Sequence, residues 1–222
     1  MNATDITKCI DYINNEKIAE LKDFLIYCRQ ALILTEKGKK ASPLKAIKKV
    51  LDDIKKSEKS ERLAGIGHTK DGNQFICDGY MLIKWKDERT ELNDFRQIDA
   101  SNSINADSLL RQATDKPSPL SIDDNTIINN LDKYIKLYRS DERLAPIPVM
   151  ICGNILDAKL VKKVVDIIGT EAVSGCGVKS CSNNILLDTS EAVALICGLR
   201  KDTTDIDKVE QMTKNFIEQV RA

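Results

Sequence analysis

Apolar residues recur every three or four positions in several stretches of the chain, a period typical of amphipathic helices. This period predicts helices within residues 5–57, at about 106–113, at 121–138, at about 158–168 and at about 205–220. Pro43 in a first helical turn, behind a Ser42 cap, marks the start of one helix. Gly169 stands where a helix-ending glycine belongs.

Shorter apolar stretches, alternating or continuous, lie between these helices and indicate strands. Strands are expected at 62–68, 74–85, 149–152, 171–178, 183–188 and 191–199. Asp71-Gly72 is a turn signal between the first two, and Asp78-Gly79 marks a second tight turn or a bulge. Helices grouped with runs of strands predict an α+β fold.

The chain contains an internal repeat. Lys45–Ile54 aligns with Lys159–Ile168 at an offset of 114 residues (159 minus 45), with six of ten positions identical. Each copy is followed by a strand-rich stretch of similar length. We interpret the shared order of helix and strands as an internal duplication.

Both copies of the repeated helix carry lysines on the arc opposite their apolar residues, at about 100° per residue. These lysines are Lys45, Lys48, Lys49, Lys55 and Lys56 in the first copy and Lys159, Lys162 and Lys163 in the second. Asp52 and Asp166 lie among them. Such an arc is either a solvated helix face or a surface that contacts phosphates, with release of condensed counterions.

Three segments resemble the bacterial beta sliding clamp, the processivity factor of DNA polymerase III. Asn154–Lys201 is similar to the last half-domain of that family, with a Leu-Asp-Ala-Lys-Leu-Val helix start and a final apolar strand ending in Arg200. Phe75–Leu82 resembles the recurring Thr-Asp-Gly-hydrophobic segment of the clamp, and Asn93–Ile98 faintly resembles the loop after it. The resemblance implies a pseudo-symmetric domain with two helices on the inside of a ring and sheets outside.

The resemblance also implies a domain organisation. A clamp-like domain over residues 42–201 would have halves at about 42–100 and 146–201, separated by a helical insert at about 101–145. A helical segment, 1–41, precedes this domain, and a C-terminal helix, 202–222, follows it. A full clamp has three such domains, so a ring built from this chain needs several copies, and a homo-oligomer is one possible state.

Composition narrows the possible functions. The 222 residues include 34 Lys and Arg and 34 Asp and Glu, so the net charge is zero and a bulk basic nucleic-acid binder is excluded. Aromatic residues make up only 5% of the chain, which argues against a stacking platform for single strands. No apolar run reaches a membrane-spanning length of ~18 residues, and the N-terminus lacks the pattern of a signal peptide. Seven scattered cysteines indicate free thiols, so we expect a cytoplasmic protein with no membrane contact.

Candidate catalytic and metal sites are few. His68 is the only histidine, and Cys77 is its one nearby nucleophile in sequence. Cys176 and Cys181 are spaced for a metal, but the second cysteine pair of a zinc site is missing. Gly65-Ile66-Gly67 lacks the third glycine of a dinucleotide-binding motif. We therefore expect no cofactor, no metal and no catalytic residues.

The sequence thus predicts a non-enzymatic, sliding-clamp-like protein that associates with double-stranded DNA through the eight lysines, or with replication proteins. One alternative is a phage-type regulatory or protein-interaction module that reuses the clamp fold without binding DNA. A third possibility is a cysteine-dependent enzyme that uses Cys77 or His68.

Overall fold

The computed structural model describes residues 43–57, 63–99, 103–111, 117–139, 145–181, 183–200 and 204–222, together with Leu21 and Leu25. The helical segment predicted over residues 1–41, apart from these two leucines, and the Ser42 cap lie outside the described residues.

Helices and strands alternate along the described chain and confirm a mixed α+β fold. The helices are α1 (Pro43–Lys56), α2 (Ala106–Leu110), α3 (Ile122–Asn129), α4 (Leu131–Leu137), α5 (Ala158–Ile168), α6 (Thr170–Ser174) and α7 (Ile206–Arg221). The strands are β1 (Gly67–His68), β2 (Gln74–Cys77), β3 (Met81–Trp85), β4 (Ser118–Pro119), β5 (Pro148–Ile151), β6 (Asn154–Asp157), β7 (Gly177–Cys181), β8 (Asn184–Asp188) and β9 (Ala192–Ile196).

Within the described residues, seven strands form one antiparallel sheet in the order β1-β2-β3-β9-β8-β7-β4. The last strands of two successive meanders, β3 and β9, pair at its centre, where Ile83 lies opposite Ala194. Pro119, which has no N–H to donate, stands in the edge strand β4, where proline is tolerated. β5 and β6 form a separate hairpin.

The two meanders repeat each other in register. Ile76 pairs with Ile83 in the first, and Leu187 pairs with Ala194 in the second. Corresponding residues are 111 positions apart in both strands (187 minus 76, 194 minus 83). The repeated helices are offset by 114 residues, whereas the strands are offset by 111. The segment between helix and strands is therefore three residues shorter in the second copy than in the first. Each half is therefore one helix followed by three antiparallel strands.

The tight turns between the last two strands of each half are also alike. Asp78 begins the first turn, and its carboxylate accepts hydrogen bonds from the N–H groups two and three residues further on, both at 2.9 Å. Thr189, 111 residues later, accepts from the corresponding N–H groups with its hydroxyl, at 3.3 and 3.0 Å. The Asp78-Gly79 signal thus marks a tight turn, which the second half builds with a hydroxyl.

Successive side chains on a strand point to opposite faces, so the sheet contributes to two hydrophobic clusters. Ile76, Ile83 and Ala194 belong to the main core, which also contains residues of α1, α3, α4, α5, α6 and α7. Phe75 and Leu82 belong to a smaller cluster on the other face, which includes Ala106 of α2. Helices of the predicted insert and the C-terminal helix therefore share one core with both repeats.

Residues 171–178, predicted as a strand, contain α6 and only the start of β7. Gly169, with φ of 103°, ends α5 and lets the chain turn directly into α6. Val173 is fully buried, and α6 packs against α3 and α5. A run of apolar residues this short does not distinguish a strand from a buried helical turn, which explains the error.

Residues 149–152 were expected to form a strand leading directly into α5. The structure places a complete hairpin, β5 and β6, in that stretch. Cys152 and Gly153 form its two-residue turn, with φ of 50° and 70°. Positive φ at both turn positions fits the twist of a hairpin but is uncommon for a cysteine, so residue type alone does not predict this turn.

Two further elements differ from expectation in their extent. In the described part of the strand predicted at 62–68, only Gly67–His68 belong to β1, because Ile66 pairs with Gln97 in a neighbouring loop. The helix predicted at 121–138 is divided into α3 and α4 at Asn130, where φ is −124° and ψ is 22°. Ser121 caps α3, since its hydroxyl accepts a hydrogen bond from the third N–H of the helix at 3.0 Å.

Candidate functional site

The two lysine-bearing helices lie side by side. α1 and α5 contact each other, and α4 closes a groove of about 450 Å³ between them. This groove, which we call the lysine groove, is lined by Lys45, Lys49, Lys159, Lys162 and Lys163, by Asp53 and Asp166, and by Ala46, Val50 and Ile135. Five of the eight predicted lysines therefore meet at one place.

The α5 lysines are less exposed than the sequence predicts. α5 is the central helix, in contact with α1, α3, α4 and α6 as well as with the sheet. Lys159, Lys162 and Lys163 are half-buried, because α4 from the insert packs against this helix. The Lys159 ammonium donates a hydrogen bond to the carbonyl oxygen of Ala145 at 2.6 Å. The sequence predicts that the α5 lysines form an outer, exposed face of the helix, whereas in the structure this face is partly covered.

The α5 lysines also have acidic partners. Lys162 forms an ion pair with Asp166, one helical turn further on, and a second with Asp132 of α4 at 3.5 Å. The Lys163 ammonium lies 3.4 Å from the buried carboxylate of Asp78. These carboxylates neutralise much of the positive charge that α5 brings to the groove.

The α1 lysines differ from those of α5. Lys45, Lys48, Lys49, Lys55 and Lys56 are all exposed. Among the residues that the structure describes, the last four of these form no ion pair. Lys49 is the one of these four that lines the lysine groove, so it brings positive charge there without an ion pair to a described residue.

The internal repeat gives a physical reason for this difference. Lys49 is the counterpart of Lys163, and Thr189 is the counterpart of Asp78. Thr189 makes the corresponding turn of the second half with an uncharged hydroxyl. This turn therefore offers Lys49 no carboxylate like that of Asp78, which pairs with Lys163. Lys163 therefore has a carboxylate partner at this position, whereas the corresponding turn residue for its counterpart Lys49 is uncharged.

Lys48 and Lys55 lie on the opposite flank of α1 from the lysine groove. Together with Asp52 they face a loop that contributes Asp94 and Arg96. The hollow between them, which we call the Arg96 hollow, has a volume of about 190 Å³. Its remaining walls are Leu51, Ala64 and Phe95. No local sequence pattern predicts Arg96 at this place, because only the pairing of a distant loop brings it beside α1.

The structure does not bring His68 and Cys77 together. The Nε2 atom of His68 lies 2.8 Å from the Gln97 side-chain oxygen, and its Nδ1 atom lies 3.5 Å from the carbonyl oxygen of Gly72. Cys77 is buried, and its sulfur accepts a hydrogen bond from the Gly79 N–H at 3.4 Å. The two ring nitrogens of His68 therefore face partners other than the Cys77 thiol, so the structure does not support a Cys77–His68 catalytic pair.

The other described thiols are weak nucleophiles. Burial, with a smaller effect of the Asp124 carboxylate, raises the pKa of Cys152 to about 12. Burial also raises the pKa of Cys176 to about 11 and raises that of Cys197. In the part of the chain that the structure describes, no group of three or more His, Cys, Asp or Glu side chains is arranged to hold a metal ion.

Comparisons with models of protein families, with curated proteins and with solved structures found no match for this chain. None of the helices in the described ranges combines the length and apolar character needed to cross a membrane.

Proposed function

We propose that this protein is a non-enzymatic, sliding-clamp-like protein that associates with duplex DNA through α1 and the lysine groove. The observation that carries the proposal is the contact between α1 and α5, which gathers five lysine side chains in one groove. The sequence resemblance to sliding clamps supports it, because that family also places paired helices of each domain side by side against DNA. Two helix-plus-three-strand halves around a central strand pair are compatible with this resemblance.

The binding we propose is weak and sensitive to salt. Four exposed α1 lysines supply most of the attraction, since they form no ion pair with a described residue, whereas Lys162 and Lys163 of α5 have acidic partners. These four are Lys48, Lys49, Lys55 and Lys56. If all five α1 lysines each neutralise one phosphate, the slope of log K against log salt is about −4.5, at about −0.9 per contact. Asp52 and Asp53 on the same helix lower the affinity, so a dissociation constant of roughly 1–100 μM, the range of non-specific binding, is expected at physiological salt.

Ring closure requires more than one copy in this proposal. One clamp-like domain does not span the circumference of a duplex, so a ring forms only by symmetric association. Light scattering of the purified chain measures the number of copies directly. A strict monomer at all concentrations overturns the ring but leaves the DNA contact to be judged by binding.

The DNA contact is tested by fluorescence anisotropy with a labelled duplex at several salt concentrations. We expect the double variant Lys45→Ala/Lys49→Ala to bind more weakly, with a salt slope smaller by about 1.8. The matched control is Lys70→Ala/Lys208→Ala, which removes two exposed lysines on the β1–β2 loop and on α7. The control loses the same net charge and should keep most of the slope. Absence of binding at low salt, or equal loss in both variants, overturns the proposal.

A second candidate function is protein docking without DNA. The apolar floor of Ala46, Val50 and Ile135, together with the paired lysines of α5, fits a peptide with acidic and apolar residues. In that case the unaltered protein does not bind duplex even at low salt. An acidic amphipathic peptide would then compete for the groove, with a dependence on salt that is weaker than that of DNA.

A further inference from the structure

The Arg96 hollow is a second basic surface on the other side of α1. Lys48, Lys55 and Arg96 are exposed there. None of the three takes part in an ion pair among the described residues. Asp52 and Asp94 also line the hollow, so its formal charge is three cations against two anions.

The loop that carries Arg96 is held firmly beside α1. Ile66 N–H donates to the Arg96 carbonyl at 2.8 Å, and Ile98 N–H donates to the Ile66 carbonyl, also at 2.8 Å. Gly65 permits this close approach, because a β-carbon at that position would lie only 2.5 Å from the Arg96 carbonyl oxygen. The backbone of Arg96 is therefore fixed by the fold, and only its side chain must be ordered when it binds a ligand.

The two basic surfaces are separated by the width of one helix. Lys49 lines the lysine groove, whereas Lys48 and Lys55 line the Arg96 hollow. An α-helix with its side chains is about 10–12 Å across. The major groove of B-DNA is about 12 Å wide and is bordered by the phosphates of the two strands. Cations therefore lie on both flanks of a helix whose width is close to that of the major groove.

We infer that Lys48, Lys55 and Arg96 form a second phosphate-binding site, so that a duplex is held on both flanks of α1. This inference rests on the proposed DNA association and specifies its geometry. Phosphates of one strand meet the α1 lysines of the lysine groove, and phosphates of the other strand meet the Arg96 hollow. The planar guanidinium of Arg96 is suited to bidentate contact with a phosphate, which a lysine ammonium does not make.

The test compares Arg96→Ala, Arg96→Lys and the control Arg111→Ala in the same anisotropy titrations. Arg111 is an exposed arginine at the end of α2, outside both basic surfaces. We expect Arg96→Ala to reduce the salt slope on duplex DNA by about 0.9, whereas Arg96→Lys keeps the slope and lowers affinity, and Arg111→Ala does little. On a single strand of the same sequence, which offers phosphates to one flank only, Arg96→Ala should have at most half of its effect on the duplex.

The outcomes separate this inference from the proposal beneath it. If Lys45→Ala/Lys49→Ala weakens duplex binding while Arg96→Ala behaves like Arg111→Ala, the DNA association stands and the two-flank geometry is overturned. An equal effect of Arg96→Ala on single strands and duplex also overturns that geometry. If the unaltered protein does not bind duplex at low salt, both the association and the second site are overturned.

Discussion

Asp78 has two roles: it stabilises the turn between β2 and β3, and it pairs with Lys163 of the lysine groove. Substitutions at this position separate the two roles. Its side chain is 6% exposed. One oxygen accepts two backbone N–H groups at 2.9 Å, and the other lies 3.4 Å from the Lys163 ammonium. Asp78→Asn keeps an acceptor for the turn but removes the negative charge. Asp78→Ala removes both.

The expected costs follow from these contacts. A hydrogen bond to a charged group contributes about 1.5–3 kcal/mol, so loss of both turn contacts in Asp78→Ala costs about 3–6 kcal/mol in the free energy of unfolding. Lys163 is 35% exposed, so solvent screening limits the ion pair to about 1 kcal/mol or less. Asp78→Asn loses this ion pair and replaces two charge-assisted hydrogen bonds by weaker neutral ones, so it costs about 2–4 kcal/mol. Asp78→Thr should fall near Asp78→Asn, because Thr189 makes the same turn with a hydroxyl.

Urea unfolding, followed by circular dichroism, measures these differences as shifts of the midpoint at constant slope. DNA binding supplies the second readout. Asp78→Asn leaves Lys163 without its carboxylate, so the salt slope of duplex binding should increase by up to about 0.9. Equal destabilisation by Asp78→Asn and Asp78→Ala would refute the assignment of the two roles. An unchanged salt slope in Asp78→Asn would show that Lys163 does not reach DNA.

Three further predictions test separate parts of the structure. Gly65→Ala places a β-carbon 2.5 Å from the Arg96 carbonyl oxygen, so it should lower the free energy of unfolding by about 1–3 kcal/mol in the same urea assay; a neutral result would contradict the close approach of the loop. Asp52→Asn removes a carboxylate from the exposed side of α1 and should tighten duplex binding, measured by anisotropy; weaker binding would mean that this face turns away from DNA. Cys152 has its pKa raised from 9.0 to about 12, and because a higher pKa leaves less thiolate at a given pH, its alkylation at pH 8 should be about a thousandfold slower than that of an unperturbed thiol. Cys176, with a pKa of about 11, should react about a hundredfold more slowly; mass spectrometry measures both rates, and fast labelling of either thiol would contradict its burial.

Local signals predicted several elements well. The boundaries of α5 match the sequence prediction because both ends are marked chemically. Asp157 caps the first turn by accepting from the Lys159 N–H at 3.0 Å, and Gly169 ends the helix with a positive φ. The core positions of α1 follow from a helical period that buries Ile47 and Val50 on one side. Caps and periodicity act within a few residues, so the sequence reveals them directly.

Elements that depend on distant partners were predicted less well. Residues 170–174 form a helix because α3 and α5 offer a surface that buries Val173. Residues 63–66 do not extend β1 because Ile66 pairs with Gln97 instead. In both cases the local hydrophobic pattern fits more than one type of secondary structure, and a contact with residues distant in sequence decides which one forms.

The sequence by itself determined that this protein has two lysine-bearing helices and an internal repeat, because helical period and residue identity are local properties of the chain. Only the tertiary structure decided which lysines remain uncompensated. Asp132 of α4 and Asp78 of a turn reach the α5 lysines across distances of 30 and 85 residues (162 minus 132, 163 minus 78). Arg96 reaches the flank of α1 through an equally non-local pairing. The charge of a surface depends on what the fold places beside each side chain, and a helical wheel contains no information about those neighbours.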